Sequence, residues 1–79
     1  MVYCRLISVD DKIIKYLIGG LANDLTGELI VNKSDFSFEL VKKPEKSVVF
    51  LSHIDSLLRK HRNEFLQGIF KKEIAREIG

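Results

Sequence analysis

Cysteine, proline and tryptophan are nearly missing from this sequence, and the scarcity of cysteine excludes one way of holding a small fold together. The 79 residues include one cysteine, one proline and no tryptophan. A single cysteine, Cys4, cannot form an internal disulfide, so the fold depends on its core or on a partner chain. A lone free thiol also fits a reducing compartment, and we therefore expect a cytoplasmic protein.

Long apolar runs are missing as well. No stretch of about 18 apolar residues occurs, which argues against a membrane-spanning helix. The first residues lack the basic region and the long apolar segment of a secretion signal. Together these features predict a soluble protein that has no membrane partner.

Sequence patterns for catalysis, metal binding and phosphate binding are also missing. His53 and His61 are separated by about 11 Å of helical rise, which is too far for two ligands of one ion. Gly19-Gly20 lacks the flanking residues of a phosphate-binding loop, and Cys4 lies in a predicted strand, where it acts as a small apolar residue. We expect no metal, no cofactor and no catalytic residue, so an enzyme is the least favoured class of function.

The pattern of apolar residues changes at the single proline. Apolar residues make up 46% of the sequence, which is normal for a packed domain, and the length fits one domain over 1–79. Before Pro44, strand signals predict a sheet-forming part over 1–43. After it, helical spacing predicts a helical part over 44–79.

Three segments of the first part have the composition and alternation of strands. They are residues 2–9, 27–31 and 36–41. In the last of these, Phe36 and Phe38 alternate with polar residues, as in a strand with one buried face. A polar connection over 32–35 predicts that the second and third segments form a hairpin.

Residues 12–21 fit two structures. As a strand, their β-branched and aromatic residues form a hairpin with the first segment. As a helix, Ser8 and Asp11 form a capping box, the apolar residues share one face, and Gly19-Gly20 end it. We favour the strand because the run is short, and because Gly20 would weaken a helix that reaches Leu21 by about 1 kcal/mol.

The helical part shows an apolar stripe with spacings of three and four from Phe50 to Phe65. Gly68 is expected to end or kink this helix, and a last helix follows to about Glu77. The sequence therefore predicts an α+β fold, with a small antiparallel sheet of four strands in meander order and two C-terminal helices packed on one face. If 12–21 is helical, the order becomes β-α-β-β-α-α.

The excess positive charge lies in the helical part. The net charge is +2, and basic and acidic residues cancel over 1–46, so the whole excess belongs to 47–79. If two antiparallel helices gather these basic side chains on one face, they could hold the phosphates of a nucleic acid or another anion. The candidate contacts are Arg59, Lys60, Arg62, Lys71, Lys72 and Arg76. Acidic residues are interspersed among them, as on an ordinary solvated helix.

The helical part also holds more apolar residues, between Val48 and Phe70, than one small sheet needs for its cover. Exposed apolar surface on a small protein commonly marks a contact with another chain, and a symmetric homodimer is the commonest assembly. The leading hypothesis is a small interaction or regulatory module that acts through protein contacts of its C-terminal helices, with a partner protein or a second copy. A nucleic-acid-binding protein is the alternative.

Overall fold

The sheet and helices follow most of the predicted order. The structure, a computed structural model, describes residues 2–76, and of Arg76 it describes only the backbone. Its elements are β1 (Val2–Val9), β2 (Ile13–Gly19), β3 (Gly27–Asn32), β4 (Phe38–Lys42), α1 (Leu51–Lys60), α2 (Arg62–Leu66) and β5 (Glu73–Arg76). The strands form one antiparallel sheet in the order β4-β3-β2-β1-β5. The predicted α+β class and the four-stranded meander are confirmed.

The strand interpretation of 12–21 is confirmed by β2. Its alternate residues Ile14, Tyr16 and Ile18 are fully buried, whereas the residues between them are half-buried. The turn from β1 into β2 is closed by Asp10, whose carboxylate accepts two backbone hydrogen bonds of 2.7 Å. An aspartate that binds the backbone just after itself is typical of a turn, so the Asp10 side chain works against a helix here.

One face of the sheet packs against both helices. The buried apolar residues of this core are Val2, Cys4, Ile14, Tyr16, Ile18, Leu29, Val31, Ile54, Leu57, Leu58, Phe65 and Ile74. The opposite face carries ion pairs between neighbouring strands, such as Arg5 with Glu73 at 3.2 Å. The period of two in the strands therefore separates an apolar face from a mixed one.

The structure corrects the expectation of a last helix after Gly68, because a strand follows there. Gly68 has a φ of 77°, a left-handed conformation that suits glycine and ends α2. The chain then returns to the sheet, where Ile74 of β5 lies opposite Cys4 of β1 and is buried. Residues 44–79 thus supply a strand as well as helices, and the predicted helix end at Glu77 lies outside the described residues.

Residues 2–76 contain two helices, but these divide the predicted first helix between them. α1 ends at Lys60, and His61 adopts a non-helical conformation before α2 begins. Apolar spacing did not reveal this break because Leu58 and Phe65 are buried in the same core on either side of it. Neither helix of the described chain is both long and apolar enough to span a membrane.

Phe36 lies outside the strand in which it was expected. β4 begins at Phe38, and Phe36 has a φ of 58°, which is rare for an aromatic residue. Its ring stacks on Phe65 of α2 with the centroids 6.1 Å apart. Packing of this ring offsets the strained backbone and fastens the β3–β4 hairpin to the helices.

Candidate functional site

An apolar patch lies at the start of α1. We define the apolar patch by four residues, whose side chains are between 52% and 73% exposed: Leu21, Val48, Phe50 and Leu51. Leu21 belongs to the β2–β3 connection, and the preceding Gly20 lies against Ser47 and Val48. The sequence stripe placed Phe50 and Leu51 with the core, whereas the fold leaves them in contact with solvent.

A groove lies between β4 and the start of α1. Its volume is about 680 Å³, and its lining is mainly apolar with one residue of each charge: Phe38, Glu39, Leu40, Lys43, Val49, Phe50 and Leu51. Among the described strands, β4 is at one end of the sheet and pairs with β3 alone. One edge of its backbone is therefore free to pair with another chain.

α1 begins without a capping side chain. Phe50 occupies the N-cap position in an extended conformation, and the first turn of α1 has no acidic residue. The backbone N–H groups of His53 and Ile54 donate to the Phe50 carbonyl. Those of Leu51 and Ser52 find no acceptor among residues 2–76, as is usual for uncapped first residues. The positive end of the helix dipole therefore points towards the apolar patch.

A buried carboxylate fixes the segment that leads to the apolar patch. Asp24 is 2% exposed. One of its oxygens accepts hydrogen bonds from the backbone of Lys46 (3.0 Å) and from the backbone and hydroxyl of Ser47 (both 2.6 Å), and the other accepts one from the Thr26 hydroxyl (2.9 Å). These bonds, with that of the Ser47 hydroxyl the strongest influence, lower the pKa of Asp24 below its usual value. The carboxylate is therefore charged at neutral pH.

Two hydroxyl groups extend this network to the neighbouring backbone. Ser47 Oγ accepts a hydrogen bond from the Gly20 N–H (2.9 Å), and Thr26 Oγ1 accepts one from the Glu45 N–H (2.7 Å). The two segments approach so closely that a Cβ at Gly20 would lie 2.7 Å from the carbonyl oxygen of Val48. The β2–β3 connection and the segment before α1 are thus joined, and the apolar patch is preorganised.

Two of the predicted basic contacts are engaged in ion pairs. Arg59 lies 2.9 Å from Asp55, one turn earlier on α1, and Lys71 lies 2.8 Å from Glu64 of α2. The lysine bond and a hydrogen bond from His61 lower the pKa of Glu64. A phosphate that approached Arg59 or Lys71 would therefore compete with a carboxylate already in place.

Of the other predicted contacts, Arg62 lines one cavity together with Arg59, whereas the remaining ones are dispersed. The Arg62 guanidinium lies over the Phe36 ring, 5.7 Å from its centroid. Lys60 and Lys72 are exposed, and neither forms an ion pair within the described chain. Arg76 pairs through its backbone with β1, and its side chain lies outside the described residues. Because β5 replaces the expected last helix, the pair of antiparallel helices that was to gather these residues is not formed.

Cys4 is poorly suited to nucleophilic attack. Its burial raises the pKa of the thiol to about 12, which disfavours the reactive thiolate. Within residues 2–76, no three His, Cys, Asp or Glu side chains are grouped closely enough to hold a metal ion. Exposed apolar surface makes the apolar patch and the groove the candidate site for contact with another chain.

Comparison with known proteins adds no relative to this description. The chain matches no protein-family model, and no curated protein or solved structure is significantly similar to it. What defines its class is therefore the fold and the site together: a small α+β domain with a preorganised apolar surface beside a free sheet edge.

Proposed function

We propose that this chain is a small protein-interaction module that binds its partner through the apolar patch and the groove. The observation that carries the proposal is the exposure of Val48, Phe50 and Leu51 on a segment fixed by the Asp24 carboxylate. Full burial of each such side chain is worth about 1.5–3 kcal/mol. Because these side chains are already partly buried, a protein contact gains part of this free energy, and a preorganised surface loses little conformational entropy on binding.

A second pair of exposed apolar residues lies at the end of α2 and serves as a comparison for the apolar patch. Leu66 at the end of α2 and Ile69 beyond it are 64% and 47% exposed. They flank Gly68, and no buried side chain like that of Asp24 binds the backbone of this turn in the described residues. The backbone of that turn has hydrogen bonds of its own, from the Gly68 N–H to the Phe65 carbonyl and from the Ile69 N–H to the Glu64 carbonyl. Scattered exposed apolar residues are normal, and the apolar patch differs in having four of them.

Nucleic-acid binding is the less favoured candidate. Arg59 and Lys71 are already paired with carboxylates, so a phosphate would have to displace them. Lys60 and Lys72 are left as exposed, unpaired lysines among the predicted contacts whose side chains are described. Strong nucleic-acid binders usually show a continuous basic stripe, and this distribution favours a protein partner.

We also place the module in the cytoplasm. Cys4 is the single cysteine of the chain and is free. A fold that uses no disulfide gains nothing from an oxidising compartment. Fractionation of cells that express the full chain tests this location, and recovery from a secreted or periplasmic fraction would contradict it.

Site-specific photocrosslinking tests the proposed function. A photoreactive residue replaces Leu51 in the apolar patch and, as a matched control, Leu66, whose side chain is similarly exposed (60% and 64%). We expect a discrete crosslink at position 51, with the partner identified by mass spectrometry and then purified. Leu51→Ser should weaken binding of that purified partner by at least about tenfold. Equal crosslinking at both positions, or unchanged affinity of Leu51→Ser, contradicts the proposal.

Oligonucleotide binding tests the alternative. Duplex and single-stranded DNA and RNA are titrated at about 50 mM salt, where phosphate contacts are strong. We expect no binding. Affinity that falls steeply with salt and is lost in a Lys60→Ala, Lys72→Ala double variant would favour the nucleic-acid candidate instead.

A further inference from the structure

The groove is lined by one charged side chain of each sign, and both are unmatched. Glu39 and Lys43 line the groove and are exposed, and the ion pairs within residues 2–76 involve other side chains. Val41, which is 53% exposed, lies midway between them in β4. A strand that complements this edge therefore carries a positive charge, an apolar residue and a negative charge, two positions apart, in the opposite order.

β4 is itself such a strand when it runs antiparallel to a second copy. A two-fold axis that passes beside Val41 places this residue opposite its own copy. The same axis places Glu39 of each chain opposite Lys43 of the other, because each lies two positions from the axis. Opposite charges that face each other across two strands stabilise the pair, and like charges destabilise it. The charge order along β4 is thus self-complementary, as a symmetric interface requires.

Other ways of pairing two copies of this edge leave the charges unmatched. In-register parallel pairing puts Glu39 opposite Glu39 and Lys43 opposite Lys43. An antiparallel pair with its axis beside Leu40 puts Glu39 opposite Val41. The antiparallel register centred on Val41 therefore uses both charges of the groove.

The edge of β4 is also protected against indiscriminate pairing. The register shifts between Glu28 and Leu29 of β3, which places a bulge in the β3–β4 ladder. Lys42 and Lys43 stand at the end of the strand. Bulges and lysines are common devices against open-ended aggregation through an edge strand, and they favour a closed pair over a continuous sheet.

The same axis brings the exposed apolar surface of two copies together. A two-fold axis perpendicular to a sheet keeps the helices of both copies on one side of the joined sheet. β4 of each chain then lies along the groove of the other, which Phe50 and Leu51 line with side chains 58% and 60% exposed. β4 has only five residues, and a standard interface buries about 800 Å² per chain. The apolar contacts beside the strand therefore add area that strand pairing alone lacks.

We propose that the partner bound at the groove is a second copy of this chain, joined through β4 in an antiparallel pair with two-fold symmetry. A Glu39–Lys43 ion pair lies on each side of Val41, and Phe50 and Leu51 of each chain contact the other chain. This inference rests on the proposed function and names the partner.

Charge reversal on either side of the axis tests the pairing. Sedimentation velocity of the wild-type chain should show a dimer with a dissociation constant of roughly 1–100 μM. Glu39→Lys and, separately, Lys43→Glu place like charges opposite each other, so each should raise this constant about tenfold. Mixed in equal amounts, the two variants should form a heterodimer about as stable as the wild-type dimer, because every facing pair again has opposite signs. This rescue also excludes misfolding of either variant.

Lys60→Glu is the matched control for Lys43→Glu. Lys60 is an exposed lysine at the other end of α1, so its reversal should leave the dimer unchanged. A wild-type chain that stays monomeric at about 300 μM, a dimer that both charge variants retain, or a mixture without a heterodimer overturns the proposal.

A disulfide locates the axis. Directly opposite residues of two antiparallel strands have Cβ atoms about 4.5–5.5 Å apart, so Val41→Cys should form a disulfide between copies under mild oxidation. Leu66→Cys is the control, since Leu66 is also exposed (64%, against 53% for Val41). Cys4 is buried and should not compete. Equal formation of covalent dimers by both variants, or none by Val41→Cys, overturns the proposed register.

The second copy and the proposed function fail in different ways. If a photoreactive residue at position 51 captures a different protein while the wild-type chain stays monomeric, the proposed function stands and the second copy is wrong. If positions 51 and 66 crosslink equally and Leu51→Ser forms the dimer as the wild-type chain does, the proposed function itself fails.

Discussion

The two ends of α1 differ in burial, in charge and in capping. Towards its C-terminal end, Leu57 is fully buried, and Arg59 and Lys60 place positive charge in the last turn, where the helix dipole favours it. At its N-terminal end, Phe50 and Leu51 are exposed and no acidic or capping side chain is present. One end of α1 thus follows the rules for a stable helix, and the other departs from each of them.

The difference indicates which part of the molecule holds the fold together and which part is available for binding. A serine, threonine or aspartate at position 50 would stabilise α1 by about 1 kcal/mol. The sequence has phenylalanine there instead. The segment just before it is held by the hydrogen bonds of Asp24. Departures of this kind are expected at functional surfaces, where stability and function make opposite demands.

The largest expected effect comes from truncating the buried part of α1. Leu57→Ala removes a fully buried side chain and should lower the free energy of unfolding by about 2–5 kcal/mol. For so small a domain this is a large share of the total stability. Urea denaturation followed by circular dichroism measures it.

Leu51→Ala is the matched control for the same substitution on the same helix. Because Leu51 is 60% exposed, its truncation should change the free energy of unfolding by less than about 1 kcal/mol. A loss as large as that of Leu57→Ala would show that the start of α1 is packed, and the contrast between the two ends would fail.

A smaller effect is expected at the carboxylate that holds the segment before α1. Asp24→Ala removes the acceptor of four hydrogen bonds and should lower the melting temperature by roughly 5–10 °C. Hydrogen exchange of the amides at 46–51 should accelerate at the same time. Asp35→Ala is the control, because Asp35 binds only Ser37 in an exposed turn, and it should affect neither measurement to a similar degree.

The effect of Asp24 also depends on pH in a defined direction. Its hydrogen bonds lower the pKa in the folded state, whereas in the unfolded chain the value is about 3.9. The advantage of the wild-type chain over Asp24→Ala is therefore complete above that pH and is lost as the pH falls through the folded-state pKa. Unfolding measured from about pH 6 to about pH 2 should show a difference that narrows below about pH 4. A constant difference over the whole range contradicts the role of the charged carboxylate.

The four-stranded meander could be predicted from the sequence because the alternation of apolar and polar residues along a strand is a local signal. β2 and β4 each show burial with a period of two, and the meander follows from short connections. β5 has four residues, and its one buried apolar side chain, Ile74, lies four residues after Phe70, a spacing that also suits a helix. β5 is a strand because it pairs with β1, which lies at the other end of the sequence. No local sequence pattern reveals such a pairing.

The candidate site was predictable only in outline. A surplus of apolar residues after Pro44 indicated a contact surface, but spacing assigned Phe50 and Leu51 to the buried stripe. Their exposure depends on where α1 begins, and that depends on Asp24, which binds the backbone of a segment 22 and 23 residues away. An aspartate in a loop can have many roles. The role of Asp24 could therefore be recognised only in the folded structure, where Ser47 lies beside it.

The smallest effect tests the comparison between the two ends of α1 most directly. Phe50→Asp supplies the missing cap and a negative charge at the positive end of the helix, so it should raise the free energy of unfolding by about 0.5–2 kcal/mol. Phe50→Ala removes the same ring without capping and is the control for lost side-chain contacts. Both variants should weaken partner binding, but only Phe50→Asp should gain stability, as measured by urea denaturation. If the two are equally stable, the Ser52 N–H group already has an acceptor, and the start of α1 is no more available for binding than its other end.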